Sequence, residues 1–170
     1  MADQMADALW TTPEQIEDSS AADWIAAHTS FCLPLHHWEG SLELSDILVL
    51  RGKHKATEAE VEFRVAPSDV TDIHLGFDDC FTKAKDRSLG LAFKPLRLSF
   101  TGPSEGAAGG PERLHVLYLV LDYVRWRGGS SDEEWFQKLL AWRAAQPGLP
   151  TVHTDFIAAE AEPGVAAGCT

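Results

Sequence analysis

Cysteine is scarce: three residues, at positions 32, 80 and 169 of 170, lie too far apart for a disulfide framework, and no two form a CxxC pair. That excludes a stapled secreted scaffold and a zinc ribbon, and it leaves Cys32 and Cys80 to read as small buried hydrophobes. Positive charge is also short, with 14 Lys and Arg against 26 Asp and Glu for a net charge of −12. The resulting field repels phosphate backbones and anionic headgroups, so nucleic acid is excluded as a partner and a membrane surface is disfavoured. No run reaches the ~20 apolar residues of a spanning helix. The opening MADQMADALW has no basic segment leading into an unbroken apolar one, which points to the cytoplasm.

Catalytic signatures are missing too. GPSEGAAGG (102–110) has neither the lysine nor the following helix of a phosphate loop, and no histidine pair sits at helical spacing. His36, His37 and Cys32, and likewise His74, Asp78, Asp79 and Cys80, are ligand types at poor spacing. Asp78-Asp79 reads instead as a strand end capping a turn. No catalytic, cofactor-binding or metal-binding residue is assigned, and the expectation is a non-enzymatic protein.

What is present is a long series of strand signals. Leu42 and Leu44 alternate with polar residues, 47–50 is apolar, and Val61, Phe63 and Val65 alternate with Glu60, Glu62 and Arg64. After a turn at 67–69 come Val70, Ile73, Leu75 and Phe77, then Leu89, Leu91 and Phe93. Pro95 breaks the pattern before Leu96, Leu98 and Phe100. A Gly- and Pro-rich connection over 101–112 leads to RLHVLYLVLDYV (113–124), apolar enough for a strand covered on both faces.

One helix follows, predicted over 131–146. Ser131 is placed as N-cap with Glu134 closing a capping box, and Trp135, Phe136, Leu139, Leu140 and Trp142 form its apolar stripe. Residues 1–30 read as an arm with two short helices, one capped by Thr12 with Pro13 and Gln15, the other by Ser20. The expected organisation is an arm (1–30), a domain (31–148) and a disordered tail (149–170).

Three stretches, WEGSLELSDILVL (38–50), FRVAPSDVTDIHLG (63–76) and the Trp-bearing helix around 135–142, resemble the pleckstrin-homology-like superfamily, especially its GRAM and bacterial members. The resemblance covers about residues 38–146. It implies a mainly β (α+β) fold: a partial barrel of two nearly orthogonal sheets, about seven antiparallel strands in all, capped by the C-terminal helix. It also implies a scaffold used for binding.

Candidate sites follow from what the core does not consume. Trp10, Trp24 and Ile25 lie in the arm, where no local strand needs them, and are candidate contacts for a protein partner or a second copy. Arg51, Lys53 and Lys55, read as a loop between strands and joined by Lys83, are a candidate anion site. In phosphoinositide-binding members of the superfamily a basic loop grips the headgroup, but Glu58, Glu60 and Glu62 follow immediately here. A small-molecule or catalytic site in the cup of the sheet would use His74, Asp78 and His115.

Overall fold

The computed structural model describes residues 4–20, 36–82, 94–103, 111–124 and 129–146. Its elements are β1 (Gln4–Thr11), α1 (Pro13–Asp18), β2 (Trp38–Leu44), β3 (Leu48–His54), β4 (Glu60–Val65), β5 (Val70–Leu75), β6 (Leu96–Pro103), β7 (Glu112–Leu121) and α2 (Asp132–Ala144). The fold is mainly β. All neighbouring strands run antiparallel in the order β4-β3-β2-β1-β7-β6-β5, curled into a half barrel.

The concave face holds the principal core. Leu42, Leu44, Leu50, Phe63, Val65, Ile73, Leu98, Phe100, Leu117 and Leu119 meet Trp135, Phe136, Leu139 and Trp142 of α2. Burial of these four helix side chains contributes on the order of 8 kcal/mol before entropy is subtracted. On the convex face a smaller cluster joins Ile16 of α1, Phe81, Tyr118 and Val120. The apolar run of β7 is therefore covered on both sides, as its composition predicts.

Four expectations are corrected. Residues 4–11 are not part of an arm, because β1 is a central strand pairing with β2 on one side and β7 on the other. Its inward positions are Ala6, Ala8 and Trp10, and alanine gives little strand signal although all three are buried. With β1 bridging them, β1–β4 and β5–β7 form one hydrogen-bonded sheet rather than two. Arg51, Lys53 and His54 are not in a loop, since β3 runs through them and only Lys55 enters the turn. Ser131 makes no side-chain cap. Instead Asp132 accepts the Leu121 N–H at 2.7 Å and the Ser130 hydroxyl at 2.6 Å, while Glu134 pairs with Lys138 at 2.7 Å.

The cap of α1 forms as expected. The Gln15 N–H donates to Thr12 Oγ1 at 3.4 Å, and the Thr12 N–H donates to Gln15 Oε1 at 3.1 Å. A bulge between Val70 and Asp72 explains how Val70 and Ile73, three apart, both face the core. The helix expected after Ser20, the strand expected over 89–93 and the tail 149–170 lie outside the described residues.

Candidate functional site

Two glycines face each other across β2 and β3. Gly40 pairs with Gly52, symmetrically about the turn at 45–47. A Cβ on Gly40 would lie 1.9 Å from the Arg51 carbonyl oxygen, and one on Gly52 would lie 2.3 Å from Trp10 Cη2 and 2.4 Å from the Glu39 carbonyl oxygen. Only hydrogen fits at either position. The slot receives the Trp10 indole, which is 1% exposed and stacks on Trp38 with centroids 6.0 Å apart.

The convex side of the same row is a groove of about 820 Å³. Its floor is the backbone of Ala8, Gly40, Gly52 and Val61, one residue from each of β1 to β4 in direct register. One wall is the row Asp7, Ser41, Arg51, Glu62, and the other is Leu9, Glu39, Lys53, Glu60. Side chains two apart on a strand share a face about 7 Å from each other, so the groove runs across the strands between two outward rows. Tyr123, just past β7, closes the β1 end.

The groove's cations are already occupied. Arg51 donates to Glu62 at 2.7 Å and Glu43 at 3.1 Å; Lys53 lies 3.0 Å from Glu58 and 3.8 Å from Glu39. These contacts raise both cations' pKa and, with Arg64, lower that of Glu62. Among the described residues Asp7 and Glu60 line the groove without an ion pair, one at each end. The expected anion site is therefore a row of neutralised charge, and its Lys83 lies outside the described residues.

The other expected sites do not assemble. Trp10 is enclosed in the core and cannot anchor a partner, because the slot over Gly52 consumes its whole indole. Trp24 and Ile25 lie outside the described residues. His74 and Asp78 are on the convex side, whereas His115 faces the core, stacked on Phe100 at 5.1 Å with Nε2 3.1 Å from the Pro103 carbonyl. Opposite sheet faces separate them, so the His74/Asp78/His115 site is withdrawn. No group of three or more His, Cys, Asp or Glu among the described residues has the arrangement to hold a metal ion. No described helix is long and apolar enough to cross a membrane.

Comparison with protein-family models, curated proteins and solved structures finds no match.

Asp78 has a structural task. Its Oδ1 accepts the backbone N–H groups of Cys80 at 3.0 Å and Phe81 at 2.7 Å, closing the expected turn. Its Oδ2 accepts the Tyr118 hydroxyl at 2.7 Å and the Arg97 guanidinium, which also binds Asp72 at 3.0 Å. Burial alone would raise its pKa, but the Phe81 N–H, Tyr118 and Arg97 outweigh it and hold the carboxyl below its ordinary value. Burial and the Asp78 carboxylate push the Tyr118 phenol up.

A carboxyl depressed in the folded state contributes stability above its unfolded pKa and loses it as pH falls through the folded one. Asp78→Asn should cost about 2 kcal/mol in urea unfolding at pH 7 and less at pH 3. An unchanged difference at the two pH values would remove the ionic role.

The sequence did not single out Asp7, Glu60 or Tyr123 as site residues. The Gly40–Gly52 pairing was available from hairpin symmetry alone. The register of β1 against β2 was not, since no short turn joins them.

Proposed function

We propose that the chain is a cytoplasmic, non-enzymatic binding module that works through protein contacts, with the convex groove across β1 to β4 as its contact surface. The observation that carries this reading is the pairing of a backbone-floored groove with carboxylates that, among the described residues, make no ion pair at either end, Asp7 and Glu60. The occupant that fits is an extended segment of a partner protein bearing lysine or arginine. Four strands span about 15 Å, the length of roughly four or five extended residues. Basic side chains would reach Asp7 and Glu60, and their aliphatic stems would lie on Leu9 and Tyr123. Seven strands followed by a core-filling helix support the finer reading of a pleckstrin-homology-like scaffold, a fold used mostly for binding.

Fluorescence anisotropy with labelled peptides graded from acidic to basic tests the groove. Affinity should rise with peptide charge and fall with salt. Asp7→Lys and Glu60→Lys should each weaken the basic peptide on the order of tenfold, while Glu133→Lys, exposed on α2, should not. Binding indifferent to peptide charge, or unmoved by both groove reversals, would refute the assignment.

A further inference from the structure

The two edges of the sheet are treated differently. At β5 the edge is closed by α2: the buried Arg143 donates from Nε and Nη2 to the Val70 carbonyl at 3.2 and 3.0 Å. At β4 the only hydrogen-bonded strand neighbour among the described residues is β3, while β6 approaches it through the contact of Phe63 with Phe100 at 5.4 Å. A free edge presents a row of unpaired N–H and C=O groups, and natural proteins usually blunt it with charged side chains, a proline or a bulge. β4 has neither proline nor bulge, and the charged residues along it, Glu60, Glu62 and Arg64, are of both signs.

We propose that β4 is a self-association edge, where a second copy of this chain adds its own β4 antiparallel about a twofold axis through Glu62. The hydrogen-bond phase selects this register. His54 donates to the Ala59 carbonyl at 2.8 Å, so the odd residues of β4 face β3. In an antiparallel ladder the backbone groups of Glu60, Glu62 and Arg64 then point outward. Centring on Glu62 sets Glu60 opposite the partner's Arg64, Glu62 opposite the partner's Glu62, and Arg64 opposite the partner's Glu60, each a hydrogen-bonded pair.

The charges agree with this phase. Glu60 has no ion pair among the described residues, and its new neighbour is an exposed arginine. The two central Glu62 carboxylates repel, but each is held by its own Arg51 at 2.7 Å. On the concave side Val61 meets the partner's Phe63, extending the core across the junction. The axis is perpendicular to the sheet, so both grooves open on the same face of the dimer. The association stands independently of what the grooves bind.

Sedimentation equilibrium without peptide tests it. The wild type should be a dimer at micromolar concentration, and Glu60→Arg and Arg64→Glu should each be monomeric, with circular dichroism confirming that they fold. Mixing the two variants should restore dimers, because each then faces the opposite sign at both positions, and the double variant should dimerise with itself. Exchange of the Glu62 and Arg64 amides should slow as protein concentration rises. A monomeric wild type, a mixture that stays monomeric, or amide protection independent of concentration (the edge then being covered by the chain itself) would overturn the proposal. Arg64 does not line the groove, so loss of dimers in Arg64→Glu with peptide binding intact separates the two readings.

Discussion

Trp10→Ala should lower the unfolding free energy by about 3–5 kcal/mol, a large share of the ~5–15 kcal/mol typical of a domain. The indole is 1% exposed, stacks on Trp38 and fills the slot that Gly40 and Gly52 leave open. Gly40 and Gly52 beneath it have no side chains with which to fill the space. Gly52→Ala attacks the same contact from the other side, because its Cβ would sit 2.3 Å from the indole.

The two changes should be strongly coupled. Removing the indole relieves the clash with Trp10 but leaves the clash with the Glu39 carbonyl oxygen at 2.4 Å, so Trp10→Ala rescues Gly52→Ala only in part. A double-mutant cycle from urea titrations measures this. Strict additivity, or a loss below 1 kcal/mol for Trp10→Ala, would contradict the slot.

The stability of the protein should fall as pH rises from 4 to 7, and Asp132 should be the main cause. Burial pushes this carboxyl from its ordinary 3.8 to about 7, helped by the nearby Asp122 charge and opposed by the bonds from Ser130 and Leu121. In that interval the unfolded chain has lost the proton and the folded chain keeps it, so folding binds protons and weakens with rising pH. The term is fully present below pH 4 and gone above 7, amounting to on the order of 4 kcal/mol.

Asp132→Asn should flatten this slope. The amide oxygen still accepts the Leu121 N–H, and the amide nitrogen donates to Ser130 Oγ, whose hydroxyl turns its own proton away from position 132. The variant should match the wild type near pH 4 and exceed it by a few kcal/mol at pH 8. Thermal melts across that range decide the matter, and a variant less stable than the wild type at pH 8 would contradict a neutral Asp132.

Elements with strong local patterns were legible in the sequence. β4, β6, β7 and α2 appear where alternation or helical spacing places them, and Thr12, Pro13 and Gln15 cap α1 as expected. β1 was hidden because Ala6 and Ala8 mark its inward face with methyl groups rather than branched side chains. Arg51 and Lys53 suggested a loop because charge on an outward strand face looks like loop polarity when the opposing Glu43, Glu39 and Glu62 are not yet placed beside them. The groove was illegible for a related reason. Its walls are rows that exist only after four strands are in register, and the β1–β2 register depends on tertiary pairing.

The central position of β1 also bears on how the chain is made. Residues 4–65 can assemble as a β1–β4 meander as they emerge, but the far edge of β1 stays open until β7 arrives. Asp7 closes that gap by accepting from Asp122 N–H at 2.8 Å and donating to Asp122 Oδ1 at 3.1 Å, across 115 residues. At ~5–20 residues per second, a ribosome leaves this edge bare for on the order of ten seconds. The strand that ends at the centre of the finished sheet spends that interval of synthesis as an exposed edge.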